Sequence, residues 1–406
     1  MFAERLVSLL GLIVILGLSW LLSRDRFNLR MRPILGGLGL QLLLALFVLR
    51  TSVGQQLFAG IGNIFSQLLD CVQEGASFVF GEGYTEHFFA FKVLPTIIFF
   101  SALTSVLYYC RVLQPIVWIC GWVMQRTLGV SGPESLATAA NIFVGHTEAP
   151  LVVRPYLPKL TPSELMAVSV GGFATVSGGI LAAYVEMGID AGNLVCASVI
   201  SAPAALAVAK ILQPETETVN RGSELIAWKP KEGNLIEAAA KGASDGVKLA
   251  LNVGGMLIAF IGLIALANLI LTGVGTRFGI SDLSLELVLG YLFSPMAWLM
   301  GVPMADCLVA GELLGLKMVT NEVIAYERMA AYMSAGSEVE LQARTTMILT
   351  YALCGFANFG AIAIQIAGIG GLAPERRSDI ARIGFRAMLG GTLACLMTGC
   401  VAGLVA

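Results

Sequence analysis

Eight continuously apolar stretches of this chain, none holding a charged residue, reach the length a helix needs to cross the hydrocarbon core of a bilayer, about 17–25 residues. They are 6–23, 33–49, 93–110, 165–185, 191–209, 249–276, 345–374 and 387–406. This pattern predicts eight spanning helices. Between the first two runs lies a connector with Arg24, Arg26, Arg30 and Arg32 against one acid, Asp25. The positive-inside rule puts that loop in the cytoplasm and the N-terminus outside. With eight crossings, the C-terminus is expected outside too.

Other apolar stretches are too short or too interrupted to cross. Residues 112–125 are bounded by Arg111 and Arg126, 134–148 is broken by His146, and 287–305 holds two prolines and runs into Asp306. Short, broken segments among full spans suggest interfacial helices or re-entrant hairpins. The most polar connector, 214–234, reads as a solvated linker between two halves.

The halves resemble each other where polar residues are costliest. The first reads Gly145-His146-Thr147-Glu148-Ala149-Pro150 and later Gly172-Phe173-Ala174-Thr175. The second reads Thr320-Asn321-Glu322-Val323 and later Gly355-Phe356-Ala357-Asn358. Each half thus carries a glutamate in a broken segment and a Gly-Phe-Ala-polar tetrapeptide 24 or 33 residues on, inside a long run. Ionisable side chains and non-helical backbone survive at membrane depth only when buried in protein or lining a wet cavity. Paired broken segments in corresponding positions point to a transporter's midplane site. Glu148 and Glu322 are the expected acceptors for hydroxyl or N–H donors of a cargo. Read alone, Glu148 also fits a surface loop beside Arg154, and Glu322 an ordinary salt bridge to Lys317 or Arg328.

Composition agrees with the pattern. Of 406 residues, 57% are hydrophobic and 13% charged, against about 25% charged in soluble domains. The net charge of −2 gives no support to a nucleic-acid partner. Eight cysteines are scattered without a CxxC pair and read as small packing residues. The first apolar run lacks a small-residue cleavage site and reads as a retained helix, not a signal peptide. His87, between Glu86 and Phe88, reads as a surface residue. With two histidines in all and no clustered acids, neither a metal-hydrolase site nor a catalytic triad is supported. A phosphate-binding GxxxxGK[ST] loop is absent, which argues against ATP-driven pumping by this chain.

Three motifs carry a family resemblance. The run Asn141-Ile142-Phe143-Val144-Gly145-His146-Thr147-Glu148-Ala149-Pro150-Leu151 resembles a signature of the concentrative nucleoside transporters. Gly315, Lys317, Asn321, Glu322, Ala325 and Tyr326 match a second, and Ala352 to Phe359 a third. The resemblance extends to 75–81 and covers nearly the whole chain. It implies an all-α polytopic protein of about eight spans plus two re-entrant hairpins and interfacial helices, arranged as an inverted repeat. It further implies a homotrimer, the bacterial inner membrane, and no cofactor or catalytic residue. The divisions that follow are peripheral scaffold helices in 1–110 and a first repeat in 111–213 with its hairpin near 131–155. A linker, long span and interfacial helix occupy 214–300, and a second repeat fills 301–406 with its hairpin near 302–340.

Carried over residue by residue, the resemblance implies that His146, Thr147 and Glu148 face the base of a nucleoside, with Ile180 and Phe356 against it. Glu322 and Asn358 fall where the ribose is held, and Ala361 beside them. The sodium positions correspond to Asn141, Val144, Thr175 and Val176, the valines through backbone carbonyls. Two departures matter: His146 replaces the usual Gln, and Gly360-Ala361 replaces Ser-Ser. The first puts the identity of the base in question; the second removes a hydroxyl from the sugar site. The expected activity is sodium-coupled nucleoside import. Proton-coupled uptake of a nucleoside or modified nucleoside stays open, and an intramembrane enzyme lacks a nucleophile paired with a base.

Overall fold

The structure, a computed structural model, describes residues 2–81, 83–84, 89–217, 232–277, 283–334, 336–337 and 339–405. His87 and most of the polar connector (218–231) lie outside the described residues. Among those described, the secondary structure is helical throughout, with no strand. The α-helices are α1 (Phe2–Leu21), α2 (Met31–Arg50), α3 (Ser52–Phe80), α4 (Leu94–Tyr109), α5 (Leu113–Leu128), α6 (Gly132–Ala140), α7 (Ala149–Val152), α8 (Pro162–Ala174) and α9 (Gly178–Glu186). They continue as α10 (Ala191–Leu212), α11 (Leu235–Arg277), α12 (Leu285–Leu299), α13 (Cys307–Val319), α14 (Glu322–Met333), α15 (Ala343–Leu353), α16 (Phe359–Leu372) and α17 (Arg377–Val405).

By length and apolarity, seven helical stretches among the described residues suffice to cross a membrane: α1, α2, Phe89–Tyr109, Pro162–Glu186, α10, α11 and Pro374–Val405. The expected run 345–374 is not one helix. It is α15 and α16, separated at 354–358. The run 165–185 is likewise interrupted, where Thr175 and Ser177 adopt extended backbone between α8 and α9. The two breaks meet. Phe356 N–H donates to Thr175 O at 3.4 Å, and the Cys395 thiol on α17 reaches Ala174 O at 3.8 Å and Cys354 O at 3.4 Å. Backbone groups released by each break therefore find partners far away in sequence, which permits the breaks in an apolar interior. Gly355 holds φ +152° at the crossing, a conformation that costs glycine least.

Around the crossing, α17 packs on α8, α1 and α10, and α10 packs on α2. The contacts use small residues and a few polar ties, as helix pairs in lipid do. Gln41 Nε2 donates to Thr398 Oγ1 at 3.1 Å, and Ser201 shares that hydroxyl at 3.1 Å. A further pair, α4 with α11, joins this assembly where α4 packs on α9. In this pair α11 leaves Leu251, Ile258, Ile261, Leu263, Leu269 and Ile270 exposed, a surface suited to lipid or another protein, not water. The 29-residue α3 is not among the expected spans; its charge-free part, 52–69, carries Gln55, Gln56, Asn63 and Gln67 among the apolar positions.

Two helix–turn–helix hairpins enter this assembly. The first is α6, a turn at 141–148, and α7. Its start is legible locally: Glu134 accepts from Ser131 N–H at 2.6 Å, half of a capping box. The other oxygen of Glu134 meets Lys210 Nζ of α10 at 2.5 Å, and that ammonium also contacts Ser163 Oγ at 3.0 Å and Glu215 at 3.7 Å. All four side chains are buried, so the base of the hairpin is clamped to α8 and α10. The second hairpin is α13 and α14, turning at Thr320 and Asn321.

Candidate functional site

Asn141 ends α6 and is 1% exposed, yet neither atom of its side-chain amide has a hydrogen-bond partner in the protein. It stands against α8: a Cβ built on Gly171 would lie 3.4 Å from Asn141 Nδ2 and 3.1 Å from Thr138 Oγ1. Thr175 Oγ1 donates to Gly171 O at 2.8 Å, as a threonine in a helix commonly does. Asn141 and Thr175 thus flank one turn of α8. Ser198 of α10 secures the hairpin by donating to Ile142 O at 3.2 Å. Buried polar atoms without partners are rare in folded proteins and mark places where something polar belongs. Val144 and Val176 are buried nearby in sequence, the first in the hairpin turn and the second in the α8–α9 break.

Further along the turn the three candidate base-facing residues part company. His146 is 8% exposed, and its ring lies 4.8 Å from that of Phe356 at 60°. Neither ring nitrogen has a protein partner. Thr147 packs on α16, where a Gly368 Cβ would meet its side chain at 2.8 Å. Glu148 folds back to accept from Gly145 N–H at 3.0 Å. Its carboxylate lines a cavity of about 170 Å³ walled by Ser105, Tyr108, Ser177, Lys241 and Asp245 among others. Ile180 is buried in α9, just past the Gly178–Gly179 pair at the cavity wall.

The second hairpin supplies a directly bonded pair. Asn358 Nδ2 donates to Glu322 Oε2 at 3.0 Å, and Asn358 Oδ1 accepts from Ala361 N–H at 2.8 Å, capping α16. Both side chains are 3% exposed. The two cations that flank Glu322 in sequence are engaged elsewhere. Lys317 Nζ donates to Ala352 O at 2.9 Å, and Arg328 pairs with Glu312 at 3.3 Å. The simple salt-bridge alternative for Glu322 therefore fails. Instead its carboxylate is held by an amide on the crossing, while Phe356, two residues from Asn358, holds His146. One short segment, 354–358, joins both hairpins.

Comparison with known proteins identifies the lineage of this arrangement. A family described as "Na+ dependent nucleoside transporter C-terminus" matches residues 193–403, its N-terminal counterpart matches 10–83, and "Nucleoside recognition" matches 90–191. The chain belongs to the concentrative, sodium-dependent nucleoside transporter family. It is 45% identical over 406 residues to an uncharacterized transporter of Haemophilus influenzae, covering 98% of this chain and 97% of that one. Solute carrier family 28 member 3 of Homo sapiens is 43% identical over 414 residues, covering 99% of this chain and 60% of the human protein. A solved structure of CNTnw in an inward-facing substrate-bound state aligns with TM-score 0.94 at 43% identity, over 99% of this chain and 98% of that one. A CNTnw variant in an outward-facing state scores 0.95 at 43% identity, over 100% and 98%. Scores this close speak for the transporter fold and not for one conformation.

Two participants escaped the sequence reading of this transporter. Gln365 sits mid-run in a 30-residue uncharged stretch and is 1% exposed beside α8. A buried amide in such a run is itself a signal, the same one that drew attention to Asn358. Cys395 tethers both breaks through its thiol, and nothing local distinguishes it from the other cysteines.

Proposed function

We propose that this transporter moves nucleosides into the cell together with sodium, by alternating access about the crossing of the two breaks. The observation that carries the reading is the Asn358–Glu322 bond at 3.0 Å on the same five-residue break as the Phe356–His146 ring pair. A carboxylate and an amide side by side match the donor and acceptor faces of a ribose diol. An aromatic ring beside an imidazole suits the flat face and polar edge of a base. In this reading Glu322 and Asn358 hold the ribose, with Ala361 beside them. His146 and Phe356 contact the base, with Thr147, Glu148 and Ile180 completing its surroundings.

Sodium would travel as co-substrate. The unpartnered amide of Asn141 and the Thr175 hydroxyl are oxygen donors that cannot ionise, a set suited to a hard monovalent cation, and Val144 and Val176 would add carbonyls. Under this reading the hairpins are re-entrant, the N-terminus is outside an inner membrane, and three copies assemble. The repeats in 111–213 and 301–406 carry the site.

Uptake of radiolabelled uridine and adenosine into proteoliposomes tests the reading, with sodium and pH gradients imposed separately. Accumulation driven by an inward sodium gradient is expected. Accumulation that follows the pH gradient and ignores sodium would replace sodium with the proton. Accumulation of neither nucleoside under either gradient would overturn the substrate class.

A further inference from the structure

The end of α1 forms a corner with α10 and α17, on both of which it packs. Arg24 N–H donates to Leu212 O, the last carbonyl of α10, at 3.0 Å. Two guanidinium groups close on the same helix end. Arg26 Nη2 donates to Leu21 O at 2.6 Å, and Arg386 Nη2, from α17, donates to Leu22 O. The carbonyls they cap belong to consecutive residues. Arg24 is two positions further on, near enough for its charge to act on that of Arg386. Arg382 lies one turn before Arg386 on α17, a spacing at which like charges repel. None of these four arginines has a carboxylate partner among the described residues. The acid of the connector, Asp25, is engaged in its own turn, accepting from Phe27 N–H at 3.3 Å and from Asn28 Nδ2.

The surroundings of this charge are apolar. Arg26 Cζ stands 5.8 Å from the centroid of the Trp20 ring, whose Nε1–H donates to Arg26 O at 3.2 Å. Leu21, Leu22, Phe27 and Phe385 are exposed around the arginines. Down the same helix Leu6, Leu10 and Ile13 continue an exposed stripe at helical spacing. One turn from Trp20 and Leu21, Gly17 falls in that stripe, and a Cβ built on it would meet nothing within 4 Å. The stripe therefore has a notch just below the arginines.

We infer that this corner is a binding site for one anionic phospholipid. Its phosphate is held by Arg24, Arg26, Arg382 and Arg386, and an acyl chain lies along the notched face of α1. Arg26 and Arg386 each use an N–H on a carbonyl, and a guanidinium has several more, arranged as a fork that fits phosphate oxygens. A soluble phosphate would meet the charge and leave the aromatic and aliphatic rim uncovered. A phospholipid meets both, and Trp20 then sits at headgroup level, where tryptophan is favoured. Basic pockets between membrane helices recognise lipid headgroups in this way.

The experiment follows the purified full-length protein in an uncharged detergent by thermal unfolding and native mass spectrometry, while phosphatidylglycerol, phosphatidylcholine or inorganic phosphate is added. Phosphatidylglycerol is expected to raise the melting temperature saturably and to remain bound at one molecule per chain. The other two are expected to do neither. Equal stabilisation by inorganic phosphate would leave an ion site and refute the lipid; equal stabilisation by phosphatidylcholine would refute the role of charge. Arg24→Gln combined with Arg386→Gln should raise the half-saturating phosphatidylglycerol about thirtyfold, about fivefold for each arginine removed. Arg32→Gln combined with Arg126→Gln removes as much charge from a neighbouring place, where Arg32 Nη2 meets Arg126 O at 2.8 Å, and should leave the titration unchanged. An equal loss in both pairs would mean diffuse attraction to surface charge and would overturn the site. If the first pair does not accumulate, Arg382→Glu carries the test. A carboxylate four residues before Arg386 supplies the counter-ion from within the helix, so the lipid-free protein should melt higher and gain less from phosphatidylglycerol. An unaltered titration refutes the proposal.

Discussion

Asn358 does two jobs with one side chain, and a pair of substitutions separates them. Its Oδ1 caps α16 by accepting from Ala361 N–H at 2.8 Å, and its Nδ2 donates to Glu322 at 3.0 Å. Serine is as good an N-cap as asparagine, whereas alanine forfeits about 1 kcal/mol at that position. Neither replacement can donate to Glu322 from where Nδ2 stands. A hydrogen bond to a charged group is worth about 1.5–3 kcal/mol, which corresponds to about ten- to a hundredfold in affinity. Asn358→Ser should therefore lose uridine uptake by about that factor, and Asn358→Ala should lose it similarly. Only the alanine variant should suffer the additional loss from the missing cap in thermal unfolding of purified protein. Uptake at a fixed sodium gradient and melting in detergent, measured on the same preparations, give both numbers. Near-normal uptake by Asn358→Ser would mean that the residue is a helix cap alone, and the ribose assignment would fall.

Three more outcomes follow from the same geometry. Thr175→Val keeps the shape of the break and removes an oxygen, so the sodium concentration for half-maximal uptake should rise about tenfold; an unchanged sodium titration would remove Thr175 from the ion's path. At Gly360 a built Cβ stands 3.4 Å from Asn358 Oδ1 and from Met256 Cε, an ordinary contact. Gly360→Ser should thus fold and should tighten binding of ribonucleosides relative to 2′,3′-dideoxynucleosides, whereas an equal gain for both would exclude a sugar contact. Lys210→Met strands Glu134 and Glu215 in the interior, and breaking a buried ion pair costs about 3–5 kcal/mol. Adding Glu134→Gln should recover much of that loss in a thermal melt, and no recovery would mean that the pair does not clamp the hairpin.

Much of this protein is written locally. An uncharged run of twenty residues has few alternatives to a membrane helix, because backbone polar groups in hydrocarbon must bond within their own segment. That is why the spans could be read from the sequence, and why Glu322 and Asn358, polar groups where such groups are expensive, could be paired before any coordinates. What hydropathy could not see is where an apolar run stops being helical. The interruptions at 175–177 and 354–358 contain no charge, and their released backbone groups are satisfied by each other and by Cys395. These partners are brought near only by the fold. The same holds for direction. In sequence His146 and Glu148 are neighbours with one expected role, but the turn aims His146 at Phe356 and returns Glu148 to Gly145. Gln365, more than two hundred positions from His146, shares with it the space over Gly172 of α8, which a side chain there would fill. Composition and periodicity chose the solvent and the helices; contacts between distant segments chose which polar atoms are left for a cargo.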